Sequence, residues 1–101
     1  MDKQQIQQVL IEVLTEIQTN SGQPAIEIDE DTCPISDLPG FDSLTGIEAT
    51  VELTHRLGHQ MTYENIFVNS KWTRALRIRE IADRLYGMLN PEVASNDRRD
   101  S

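Results

Sequence analysis

Apolar residues recur at three- and four-residue steps from the start of the chain. Ile6, Val9, Leu10, Val13, Leu14 and Ile17 share one face of a 3.6-residue period, with Gln4, Gln5, Gln7, Gln8, Glu12 and Glu16 on the other. This spacing predicts a helix that ends at Asn20-Ser21-Gly22, residues that tolerate turn geometry. No period survives from 20 to 41, where Pro24, Pro34, Pro39 and Gly40 break the chain. Ile26, Ile28, Ile35, Leu38 and Phe41 are expected to pin this long connection to the core, and loops of such length are commonly functional. A second helix is predicted from Asp42 or Ser43 to Gly58. Leu44, Ile47 and Val51 form one stripe and Leu53 and Leu57 a neighbouring one, a breadth that implies contact from more than one side. Thr62 is expected to cap a short helix over residues 63–67. After a polar stretch from Asn69 to Arg74, a last helix carries Ile78, Ile81, Ala82, Leu85 and Leu89 and stops at Asn90-Pro91.

No segment alternates with period two, so the predicted fold class is all-α: three principal helices plus a short one, in a small bundle. Residues 1–89 form the predicted domain, and residues 90–101, with little to bury, a disordered tail.

Charge narrows the classes of partner. The 101 residues carry 17 acids against 9 bases, for a net charge of −8. Residues 1–60 hold 11 acids and 2 bases, residues 61–101 hold 6 acids and 7 bases, and six acids crowd between Glu27 and Asp42 without a base. Binding to a phosphate backbone needs clustered Lys and Arg, so nucleic acid is disfavoured as a partner and basic proteins are favoured. No apolar run approaches the roughly 20 residues of a membrane span, and the opening MDKQQIQQ does not read as a signal peptide; the expected compartment is the cytoplasm, without membrane insertion. One cysteine, Cys33, excludes an internal disulfide framework and a CxxC-type zinc site.

The candidate chemistry lies at Pro39-Gly40-Phe41-Asp42-Ser43-Leu44, the mouth of the second helix. Asp42 or Ser43 can serve as an N-cap. Ser43 can equally present a hydroxyl for covalent modification, where helix N–H groups and the helix dipole favour a phosphodiester by about 0.3–1 kcal/mol. Local chemistry is compatible with both readings at once. Elsewhere the bland readings prevail. His55 and His59 are four apart, but Gly58 is expected to end the helix between them, so no metal site is assigned. Cys33, beside a proline in an acidic loop, reads as a bystander thiol. Asp29-Glu30-Asp31 lacks the further ligands of a calcium loop and reads as a solvated acidic turn. Trp72 is expected to pack down as a lid on the bundle.

Taken together, Asp-Ser-Leu opening a helix after a long acidic loop, within four helical segments of an acidic chain, resembles an acyl carrier protein. The likeness spans residues 4–89. It is clearest over Leu38-Pro39-Gly40-Phe41-Asp42-Ser43-Leu44-Thr45-Gly46-Ile47-Glu48, with support from Glu64-Asn65-Ile66-Phe67-Val68 and from Ile78-Arg79-Glu80-Ile81-Ala82-Asp83-Arg84-Leu85. The resemblance implies a four-helix bundle of the acyl-carrier type with 4′-phosphopantetheine on Ser43. Asp42 would be the flanking acid that helps the modifying transferase, and Leu44 the apolar residue after the serine. It also implies a substrate shuttle, not an enzyme, that holds acyl groups as thioesters. Its partners would be a phosphopantetheinyl transferase, an acyl-loading ligase or transferase and downstream synthase enzymes of fatty acid, lipid or polyketide type.

The sequence departs from the family where a strongly acidic second helix is usual. Glu48 and Glu52 remain, but Thr54-His55-Arg56 replaces further acids, and the last helix is rich in arginine (Arg77, Arg79, Arg84). These departures point to a specialised carrier with dedicated partners and weaker electrostatic steering, and the expected form is a monomer. Glu48, Glu52 and Arg56 are the expected partner contacts, with Ile47 and Val51 near the arm or cargo. Two alternatives stand beside this reading: an aminoacyl or peptidyl carrier of a nonribosomal pathway, and an unmodified helical interaction module in which Ser43 only caps a helix.

Overall fold

The computed structural model describes residues 1–24, 26–60, 63–69 and 71–90. The first helix, α1, spans Lys3–Asn20. Asp2 opens it with a capping box: its carboxylate accepts from Gln5 N–H, and Gln5 Oε1 accepts from Asp2 N–H. Ile6, Leu10, Val13 and Leu14 from the predicted stripe are buried, with Val9 and Ile17 packed against the core at its edge. α1 is the common support of the fold, for both later long helices pack on it.

The connection after α1 is pinned to the core by Leu38 and Phe41, buried, and by Ile28 and Ile35, partly buried. Ile26 departs from expectation and stands exposed. Inside this connection lies the short helix α2, Pro34–Asp37. Proline supplies a preset φ at the first helical position, and Asp37 Oδ2 accepts from the Cys33 N–H to close the turn. Cys33 is half-buried, its Sγ 3.5 Å from Ser36 Oγ.

Helix α3 runs over Ser43–Leu57 and ends at Gly58 in the left-handed region. Its buried residues are Gly46, Ala49, Thr50 and Leu53. The stripe of Leu44, Ile47 and Val51 does not enter the core: Leu44 is 65% exposed and Val51 54%. The helix is therefore gripped along one face, and the breadth of its apolar surface is partly turned to solvent.

The segment after α3 corrects a sequence expectation. Residues 63–67 form a turn, not a helix, and Thr62, the proposed cap, lies outside the described residues. Asn65, Ile66, Phe67 and Val68 are all buried, and a helix would bury only every third or fourth of them. Asn65 Oδ1 instead accepts from Phe67 N–H at 3.0 Å, a local turn that competes with helix. The chain then makes a hairpin-like turn, with Val68 bridged antiparallel to Ala75. Asn69 organises it, its Oδ1 accepting from Thr73 and Arg74 N–H. Trp72 is not the expected lid: it is 51% exposed, at φ 60°.

Helix α4 spans Ile78–Leu89 and buries Ile78, Ile81, Ala82 and Leu85, the predicted stripe, with Leu89 half-buried at its end. The acidic turn after α1 receives its first free donors: Ile78 N–H donates to the Thr32 carbonyl and Arg79 N–H to the Glu30 carbonyl. Asp29, Glu30 and Asp31 stand exposed, as expected of a solvated turn, and Asp31 is ion-paired with Arg79 at the surface while its carbonyl accepts from Arg77. Arg84 Nη1 donates to the Val68 carbonyl at 2.6 Å, and its guanidinium lies over the Tyr63 ring. The arginines of this helix thus hold loops in place. The predicted tail from 91 onward lies outside the described residues, while Asn90 caps the end of α4. The described chain is all-α in class, with three principal helices and one short one, and no helix among the described residues is long and apolar enough to cross a membrane.

Candidate functional site

Phe41 sets the entry to α3. Its ring is buried and meets Phe67 edge-on, centroids 5.3 Å apart, a contact of about 0.5–1.5 kcal/mol beyond burial. Gln18, buried at the end of α1, donates through Nε2 to the Pro39 carbonyl at 2.8 Å. The segment 39–41 that leads into Asp42 and Ser43 is therefore held at both its ends.

Asp42 is the N-cap of α3. Its Oδ1 accepts from Thr45 N–H at 2.9 Å and from the Thr45 hydroxyl at 3.1 Å. The Thr45 N–H, then its hydroxyl, hold the carboxyl below the usual range by stabilising the charged form. Ser43 is the first residue of the helix and is exposed. Its carbonyl accepts from Asn65 Nδ2 at 2.9 Å, while among the described residues no hydrogen bond engages its hydroxyl. Capping therefore falls to Asp42 and leaves Ser43 Oγ free. Leu44 stands exposed beside it.

The predicted interface residues separate onto two sides of α3. Ile47 and Val51, one and two turns beyond Ser43, line a groove of about 320 Å³ with Thr50, Thr54, Gln60, Tyr63 and Glu64. Glu48, Glu52 and Arg56 instead line a cleft of about 300 Å³ facing α1, with Val13, Glu16, Ile17 and Asn20. Arg56 is not a free cation there: it is paired with Glu16 on α1 and with Glu52 one turn back.

Two site residues escaped the sequence reading. Asn65 is 2% exposed, and both ends of its amide are used, on Ser43 and on Phe67. Thr50 Oγ1 donates to the Gly46 carbonyl at 2.8 Å and accepts from Ile66 N–H at 3.0 Å. Their partners lie 22 and 16 residues away in sequence, so no local spacing marks them. Gly46 belongs to the same contact: a Cβ there would fall 2.7 Å from Asn65 Oδ1, so glycine is what admits the amide.

The remaining candidates stay apart. Gly58 ends α3 between His55 and His59, and no group of three His, Cys, Asp or Glu among the described residues is gathered for a metal. Comparison finds no family model, curated protein or solved structure that matches this chain.

Proposed function

We propose that this protein is an acyl carrier of the four-helix type, modified on Ser43 with 4′-phosphopantetheine. One observation carries the reading: Ser43 opens α3 with an exposed hydroxyl that no hydrogen bond engages, while the neighbouring Asp42 does the capping. A serine needed only as a cap would be the residue whose oxygen accepts from the helix. Here that oxygen is left available.

The surroundings fit the group. Ser43 is exposed, and the first turn of α3 favours a phosphodiester through its dipole. Attack by Ser43 Oγ on the phosphorus of coenzyme A that bears the pantetheine would form the new P–O bond. The pyrophosphate bond breaks, adenosine 3′,5′-bisphosphate leaves, and the serine proton passes to a base of the transferase. When attached, the group supplies a thiol that holds an acyl chain as a thioester. The chain itself needs only to present the serine, bind its partners through α3 and shelter cargo along the Ile47–Val51 groove.

The cargo is proposed to be an acyl group of fatty acid, lipid or polyketide assembly, loaded by a ligase or transferase. The exposed Leu44 beside Ser43 and the exposed Val51 two turns further along α3 favour an apolar cargo over a polar aminoacyl group. Incubation with coenzyme A and a broad-specificity phosphopantetheinyl transferase, read by intact mass, tests the assignment. The expected result is a gain of one phosphopantetheinyl unit that disappears in Ser43→Ala. Folded wild-type protein that gains nothing would leave Ser43 as an unmodified part of an interaction module.

A further inference from the structure

Among the described residues, the amide of Asn65 is the one buried side chain that hydrogen-bonds to the backbone of the candidate attachment residue. It approaches from outside α3, from a segment 22 residues further on, and donates to the Ser43 carbonyl at 2.9 Å. Its oxygen is oriented by Phe67 N–H, which removes the ambiguity of a rotating amide. Gly46 leaves the space that lets it sit there. A first helical residue is ordinarily prone to fraying, because its own N–H lacks a helical partner and only one carbonyl bond holds it. A second, rigidly oriented donor on that carbonyl restrains the peptide plane that carries Ser43.

We propose that Asn65 is a positioning residue for modification of Ser43, acting through the Ser43 carbonyl to fix the direction in which the hydroxyl leaves the helix. This rests on the reading of Ser43 as the modified serine. Asn65 hydrogen-bonds to the Ser43 carbonyl and not to the reacting hydroxyl oxygen. Its contribution is to narrow the orientations of the nucleophile before the transferase engages it, so its loss belongs in the turnover step and not in association.

Arg84 supplies the control. Its guanidinium ties the same 63–68 segment to α4 by donating to the Ile66 and Val68 carbonyls, yet contacts nothing on Ser43. Asn65→Asp keeps an acceptor for Phe67 N–H and removes the donor to Ser43. Arg84→Met cuts the other tie and keeps the apolar length of the side chain.

The test is steady-state modification of full-length Asn65→Asp, Arg84→Met and wild type with coenzyme A and the transferase, kcat and KM resolved, beside a thermal melt of each. Asn65→Asp is expected to lower kcat by between about 10- and 100-fold, with KM for the carrier little changed. Arg84→Met is expected to melt earlier than wild type and keep the wild-type kcat. Where Asn65→Asp does not fold, Gly46→Ala takes its place, since the added methyl displaces the amide from the Ser43 carbonyl and leaves Asn65 present. Wild-type kcat in the Asn65 variant, or an equal fall in Arg84→Met, overturns the positioning role while the reading of Ser43 stands. Wild type that takes up no mass overturns both.

Discussion

Asp42 and Ser43 are neighbours with opposite commitments. The Asp42 carboxylate is bound to the first turn of α3, and the Ser43 hydroxyl is bound to nothing described. A carboxyl whose folded-state pKa is lowered contributes stability that is fully present above its unfolded value and lost as pH falls through the folded value. At neutral pH Asp42→Ala should therefore melt earlier than wild type. The difference should shrink as pH falls below the ordinary carboxylate range, through the lowered pKa at which the wild-type carboxylate takes up its proton. Thermal melts from pH 7 to pH 2.5 check this. Glu80, held down chiefly by the Arg74 guanidinium and then by Arg77 N–H, titrates in both proteins and largely cancels from the difference. That a cap stands at Asp42 or Ser43 was legible in the sequence because N-cap chemistry acts over three residues; that Asp42 is the one was not. Asn65 and Thr50 were not, because a buried amide and a buried hydroxyl declare their roles only through distant partners.

At the scale of elements, the helices with a regular apolar period appeared where the period placed them, and the short element did not. Proline at the first position and Asp37 closing on Cys33 N–H make Pro34–Asp37 helical, whereas Asn65 turns the chain at 63–68. Four consecutive buried residues there satisfy the core in extended or turn geometry. The Val68–Ala75 turn stores a cost of its own. Trp72 sits at φ 60°, where a bulky L-residue is disfavoured, and half of its surface faces water. Trp72→Gly removes that strain and little packing, so it should raise stability by up to about 1 kcal/mol in urea unfolding. A loss of that size instead would mean that the indole contributes more by packing than the backbone conformation costs. The expectation that Trp72 covers the bundle failed for a physical reason: Asn69 ties both ends of its turn, which fixes the direction of the tip independently of the core.

At the scale of the molecule, the acidity of the first half is partly consumed internally. Asp31 is paired with Arg79, and Glu16 and Glu52 share Arg56 across the α1–α3 cleft. The formal excess along α3 is thus not the charge a partner meets. Arg56→Ala should cost no more than about 1 kcal/mol, as for other solvent-facing pairs, measured by urea denaturation at low salt. Its larger effect should be electrostatic, since it leaves Glu16 and Glu52 without their shared cation in a cleft that Glu48 also lines. A stability loss beyond about 2 kcal/mol would mark the pair as part of the α1–α3 packing.

By itself the sequence determined the all-α class, the extents of the three long helices and the position of the serine at a helix mouth. Each of these follows from periods and caps that act within a few residues. Tertiary structure alone decided that Leu44 and Val51 face outward, that Ile47 and Glu48 belong to different clefts, and that Asn65 reaches Ser43. These depend on which face of α3 is taken by α1 and by the 63–68 segment. An apolar stripe states that a surface can be buried; only the packing of its neighbours selects the stripe that is.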